Sequence, residues 1–190
     1  MRPIVITEFI SLDGIVDSPG GGNHPHGGWT FKDVEFDPAA YDIKGRETES
    51  ATALLFGRQS YDEFAPVWPS MEEFATYNAM PKYVVSTTLD GDTAPWGDGE
   101  VTVLRSIDDV AALKETEGGE IQVHGSPTLA QGLAAAGLVD RYHLLVFPLL
   151  LGSGKRLFVD GTALDKTKLE LVEHAAYSNG ITLQRYDVVR

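Results

Sequence analysis

The chain has 190 residues, 43% of them hydrophobic and 9% aromatic, enough for one sizeable core and too apolar for a disordered chain. Its formal net charge is −13 and it has no cysteine. The charge argues against a nucleic-acid partner, since a phosphate backbone needs a basic surface, and the missing cysteines exclude disulfides, thiolate metal centres and a cysteine nucleophile.

The N-terminal "PIVITEFISLDG" reads as a strand, β-branched residues running into a turn at Asp13-Gly14. "DSPGGGNHPHGGWT" follows as a loop, with glycines to hinge a lid over a cleft and two histidines too few to fix a metal by spacing. "DPAAYDIKGRETESA" predicts a helix with Asp37 as N-cap and Pro38 in its first turn. "TALLFG" is a buried strand and "RQSYDEFAPVWP" a short helix. "PKYVVSTTLD" and "GEVTVLRS" are strands, and "DDVAALKETEG" is a helix capped by Ser106 or Asp108. "EIQVHG" and "SPTLAQGLAAAG" make the next strand and helix. "LVDRYHLLVFPLLLG" is a long apolar strand, and "LELVEHAAYSNGITLQRYDVVR" is two strands joined at Asn179-Gly180.

Alternating β and α elements ending in an antiparallel pair imply one α/β domain over residues 1–190, with a mixed, mainly parallel sheet. No apolar run approaches the roughly 18 residues of a membrane span. "MRPIVITEFIS" is broken by Glu8 and has no cleavage site, so a cytoplasmic protein without a membrane partner is expected.

Three strand ends carry the same grammar. "VHGSPTL" puts Gly125, Ser126, Pro127, Thr128 and Leu129 where a strand turns into a helix. The first helical N–H groups there lack backbone partners, and small residues let a phosphate come close. An ordinary capped turn is the alternative. "LLFGRQSYDEF" repeats the pattern with Gly57, Arg58, Gln59 and Ser60, Arg58 being either a phosphate partner or a surface arginine. "VVSTTL" ends in Ser86, Thr87 and Thr88. Ligands of open α/β sheets sit beyond such ends, so a multiply phosphorylated ligand such as a dinucleotide is indicated. The G-x-G-x-x-G fingerprint is missing, and "LGSGKR" is not a Walker A sequence.

Asp13, at the first strand's end, is the candidate for proton handling or substrate hydrogen bonding, with a turn-capping aspartate as the alternative. Trp29 and Phe147 are candidate walls of a substrate cleft, with core packing as the alternative for each.

"EFISLDGIV", "LLFGRQSYDEF", "KYVVSTTL" and "IQVHGSPTLAQGLAAAGLVDRYHLLVFPLLLGSGKRLF" together resemble the dihydrofolate reductase superfamily. The chain is most similar to the reductase domain of the bifunctional riboflavin-biosynthesis deaminase-reductase, the RibD C-terminal-like proteins. The resemblance runs over residues 3–189. It implies a dihydrofolate reductase-like sheet of about eight strands, an NADPH site and a homodimer. Residues 57–60 would face the phosphates, Ser86, Thr87 and Thr88 the adenosine ribose phosphate, and residues 125–129 the pyrophosphate. Asp13, Gly14 and Ile15 would border the nicotinamide and the substrate. Thr87 stands where the family often has Arg, which leaves NADH open beside NADPH.

The implied activity is an NAD(P)H-dependent reductase of a small heterocyclic or carbonyl substrate. The alternatives are the 5-amino-6-(5-phosphoribosylamino)uracil reductase step and a non-catalytic nucleotide-binding module. The companion deaminase is excluded, because its zinc site needs cysteine ligands.

Overall fold

The computed structural model describes residues 1–89, 96–97, 99–161 and 166–190. Eight strands form one sheet: β1 (Ile4–Ser11), β2 (Ala51–Gly57), β3 (Lys82–Val85), β4 (Val101–Leu104), β5 (Glu120–His124), β6 (Arg141–Phe147), β7 (Lys168–Ala176) and β8 (Thr182–Val189). Their order is β4-β3-β2-β5-β1-β6-β8-β7. The pairs from β4 to β6 are parallel, and β8 runs antiparallel to both β6 and β7. The mixed, mainly parallel sheet with its C-terminal hairpin is therefore present. The predicted end of the third strand at Asp90 lies outside the described residues.

The strands explain their own positions. IVITEFIS and TALLF are near-continuous apolar, β-branched runs because central parallel strands are covered on both faces. The exposed residues along KLELVEHAA suit β7 to the sheet edge. Helices α5 (Ile107–Lys114) and α6 (Pro127–Ala135) cover one face, packing Val110, Leu129 and Leu133 on Ile4, Ile6, Ile10 and Val123. On the other face lies α2 (Pro38–Ser50), which Asp37 caps by accepting from the Ala39 N–H at 3.0 Å. There Trp29, from α1 (Trp29–Lys32), joins Ile43, Leu145, Phe147 and Leu183.

Helix α3 (Arg58–Phe64) ends before Pro66 as predicted. Between it and β3 the chain forms two 3₁₀ turns and α4 (Ala75–Ala79), which the sequence pattern did not reveal. Stacking organises this stretch in place of helical periodicity: the Trp68 ring lies 4.7 Å from Phe64 and 4.3 Å from Phe74.

Strand β5 is inserted between β2 and β1, while the connection after it leads to β6 on the far side of β1. The connections that leave β1, to β2, and β5, to β6, thus run in opposite directions across the sheet, a reversal at the β5–β1 seam. In open α/β sheets a crevice opens beyond the strand ends at such a reversal.

Candidate active site

Strands β2 and β5 both reach this end of the sheet at a glycine, Gly57 closing β2 and Gly125 following β5. After His124, Gly125 and Ser126 are both left-handed, with φ of 61° and 64°, and Pro127 opens α6. Glycine adopts this conformation freely, whereas Ser126 is held there at a cost of roughly 1–2 kcal/mol. A latch holds it: the Gly57 N–H donates to Ser126 Oγ at 2.8 Å, tying the start of α3 to the start of α6. A Cβ on Gly125 would also lie 3.3 Å from Ser60 Oγ and 3.5 Å from the Phe64 ring. The two junctions form one unit whose helix-start N–H groups have no intrahelical partner.

The side chains around it are already engaged. Arg58 Nε donates to both oxygens of Asp62, at 2.8 and 2.7 Å, so without a ligand its partner is its own helix. Gln59 bonds Glu63 and receives Lys155 Nζ, which brings a cation from a distant loop to the rim. At the end of β3, Ser86 Oγ accepts from the Leu89 N–H at 3.0 Å and shapes the turn, while Thr87 and Thr88 are exposed. Thr128 is exposed and Leu129 buried.

The structure corrects the reading of the β1 end. Asp13 accepts from Ser11 Oγ (2.6 Å), Gly152 N–H (2.8 Å) and Leu151 N–H (3.2 Å). Desolvation opposes ionisation, but these hydrogen bonds outweigh it and bring the carboxyl down to about 2. A carboxylate held this way is an anchor, and it has no proton to give near neutral pH. It fixes the loop whose residues pair with residues 14–16, through Val16 N–H to Lys155 O and Leu157 N–H to Gly14 O. Arg156 reaches the Asp13 carbonyl. Gly14 has a φ of 85° and marks the strand's exit, whereas Ile15 is fully buried, its N–H donating to Ser11 Oγ and its carbonyl accepting from the Ser11 N–H, both at 2.9 Å.

Trp29 and Phe147 are corrected as well. Both are fully buried, with ring centroids 5.2 Å apart edge to face, and Trp29 Nε1 donates to Asp17 O. They belong to the core under α2 and do not wall a cleft. Trp29 also closes the glycine-rich loop, which His24 ties to Ser153 O at 2.9 Å. Among the described residues no three His, Asp or Glu side chains converge as a metal site.

On the α2 face of the seam lies a buried polar cluster that sequence reasoning missed. Glu47, 1% exposed, accepts from Thr7 Oγ1 (2.8 Å) and Lys44 Nζ (3.0 Å) and sits 2.9 Å from His143 Nδ1. Lys44 Nζ also donates to Thr7 Oγ1 at 2.6 Å. Burial alone would raise Glu47, but the Lys44 ammonium and the His143 hydrogen bond bring it down to about 2. An anionic carboxylate can only accept, so Nδ1 carries the His143 proton. Beneath it, Gln122 donates to Glu47 O and accepts from Tyr77 OH, with His124 Nε2 3.3 Å away. Burial lowers His124 to about 3, so its ring is neutral. The sequence did hold a signal: Glu47 shares the buried face of α2 with Ala40 and Ile43, where an apolar residue belongs.

A second buried acid, Glu8, occupies the opposite face of the same seam, 3% exposed, and burial pushes it up to about 8. Glu8 lies on β1 beside the end of β5, and Glu47 reaches the neighbouring Thr7 from α2.

Known proteins share the sequence pattern and the fold. Over 189 residues the chain is 24% identical to the uncharacterized protein YyaP of Bacillus subtilis (strain 168), spanning 95% of this chain and 92% of that one. Two solved structures share the fold along the whole chain. The "Putative riboflavin biosynthesis protein" of Shewanella sp. PV-4 superposes with a TM-score of 0.76 at 18% identity, all of both chains being covered. The "pyrimidine reductase-like protein" of Corynebacterium diphtheriae has a TM-score of 0.65 at 16% identity, with 92% of that chain covered. Residues 2–183 match the RibD C-terminal domain, and the chain belongs to that reductase-like family.

Proposed function

We propose that the protein is an NAD(P)H-dependent reductase of a small heterocyclic or carbonyl substrate. The observation that carries this reading is the pair of latched strand-to-helix junctions at Gly57 and Ser126, aligned with the ends of β3 and β1. Neighbouring strands lie about 4.8 Å apart, so a ligand running from the β3 end to the β1 end spans about 14 Å, the reach of a dinucleotide. The residues present fit such a group. Amides at the start of α6, the Thr128 hydroxyl and Lys155 suit a pyrophosphate, and Thr87, Thr88 and Arg58 suit a ribose phosphate. These local donors matter in a chain of net charge −13.

When bound, a reduced nicotinamide supplies a hydride. The protein's own part is to orient it over the β5–β1 seam and to hold protons beside it. Lys44, its side chain 24% exposed, keeps an ammonium at the seam, and Glu47 fixes its position.

Among substrates, 5-amino-6-(5-phosphoribosylamino)uracil is the first to try. The family, and the names of the two similar structures, support a riboflavin-pathway reduction. The test is titration with NADPH and NADH followed by nicotinamide fluorescence, then a turnover screen with that pyrimidine and with pterins. Saturable binding weakened by Ser126→Ala and by Arg58→Ala supports the reading. Binding of neither cofactor overturns it, and tight binding without turnover of any substrate points to a nucleotide-binding module.

A further inference from the structure

Glu8 lies in the middle of an apolar strand. Thr7 and Phe9 face α2, so alternation turns Glu8, with Ile6 and Ile10, toward α6. Thr7 is in register with His124 of β5, which sets Glu8 beside Gly125. The Gly125 N–H, in the turn that carries the proposed phosphate cradle, thus lies near the Glu8 carboxyl and favours its charged form. The carboxyl oxygen Oε1 is buried and meets no hydrogen-bond partner among the described residues.

The surroundings on this face are apolar: Val123 from β5, Leu144 from β6, and Leu129 and Ala130 from α6. Helix α6 brings no titratable side chain at all. Tyr142, on the same face of β6, is raised by burial to about 12 and stays neutral. His124 and His143, on the flanking strands, turn to the α2 face toward Tyr77 and Glu47. From the loop ending in Leu157, Lys155 is directed to Gln59 and Arg156 to Asp13. Lys44, across the sheet, is the charge that acts on Glu8. Burial prevails over Lys44 and the Gly125 N–H, pushing the carboxyl up to about 8, so it holds its proton at neutral pH.

We propose that Glu8 is a positioning residue of the cradle, an uncharged carboxyl buried beneath the Gly125–Ser126 turn, and that an anionic dinucleotide at that turn binds the protonated form preferentially. The proposal rests on the nucleotide reading above. An ionised Glu8 would put a negative charge directly beneath the turn that faces the phosphates, in a setting too apolar to screen it. Binding and protonation are then linked, and each must favour the other.

The experiment is a set of NADPH titrations between about pH 7 and 9.5 on the wild-type chain and on Glu8→Gln, a neutral side chain of the same shape. One linked proton weakens wild-type binding by up to about tenfold per pH unit above about pH 8, and the Glu8→Gln profile is flat. Calorimetry in two buffers of different ionisation heat should show, at about pH 8.5, uptake of most of one proton per NADPH by the wild type alone. A purely structural acid would move neither readout. Tight wild-type binding with a flat profile and no proton uptake overturns this proposal and leaves the reductase reading standing. So does a Glu8→Gln variant that follows the wild-type curve. No NADPH binding at any pH overturns both. The wild-type profile and its proton uptake decide the matter even where the variant does not fold.

Discussion

Glu47 and Glu8 are both buried acids at one seam, and their surroundings drive them in opposite directions. Glu47 has Lys44, Thr7 and His143 around it and is ionised; Glu8 has a single N–H and apolar neighbours and is neutral. Their pH dependences must therefore have opposite signs. Glu47 lies below its ordinary value in the fold, so its contribution is fully present above about pH 4.5 and is lost as pH falls through about 2. In Glu47→Gln an uncharged amide offers the His143 N–H and the Lys44 ammonium one carbonyl oxygen in place of two charged ones. Glu47→Gln is expected to cost about 3 kcal/mol at pH 7 by urea unfolding, a gap that narrows toward pH 2. An unchanged stability would show that the cluster is not held by this charge. Glu8 lies above its ordinary value, so keeping it buried grows more costly from about pH 4.5 up to about pH 8. Glu8→Gln should therefore gain on the wild type as pH rises, by on the order of 3 kcal/mol at pH 7, and should show little gain at pH 4. Each acid was legible in the sequence as a charge inside an apolar pattern. Their partners were not, because those come from strands and helices far apart in the chain.

The strand-to-helix junctions are where local sequence and tertiary packing meet. The glycines and Pro127 marked both junctions plainly, and the Asn179-Gly180 turn marked the hairpin, because each backbone need is met by few residue types. The latch between Gly57 and Ser126 joins positions 69 apart and no local rule contains it. For the same reason Asp13 read as a proton-handling group: its three donors include two amides of a loop more than a hundred residues away. The latch makes a discriminating prediction. Ser126→Ala removes the acceptor of the Gly57 N–H while keeping a Cβ in the left-handed region, and should cost about 1–2 kcal/mol. Ser126→Gly loses the same bond but relieves the backbone, and should lie within about 0.5 kcal/mol of the wild type. Urea midpoints of the three proteins give the order directly: Ala equal to the wild type would show that the latch holds nothing, and Ala at or above Gly that the left-handed backbone carries no strain.

At the scale of the whole molecule, hydrophobic alternation disclosed the class of sheet but not its order. That β5 is inserted between β2 and β1 follows from packing two helix layers on two faces, and it is this insertion that gathers residues 57–60, 86–88 and 125–129 at one edge. A ligand bridging these ends would add to the sheet and to the Gly57–Ser126 latch a further tie between these segments, so its binding energy appears as stability of the whole fold. With ligand at about a hundred times its Kd the fold gains about 2.7 kcal/mol. For a chain of this size, each kcal/mol raises Tm by about 2–4 °C. NADPH is therefore expected to raise the melting temperature by about 5–10 °C, and AMP, which can engage only part of the crevice, by much less. Gly125→Ala, whose Cβ is both strained and crowded against Ser60, should lose most of the NADPH shift even where its own melting point has fallen only modestly. An equal shift with NADPH and AMP would restrict the site to one strand end and contradict a dinucleotide lying across four.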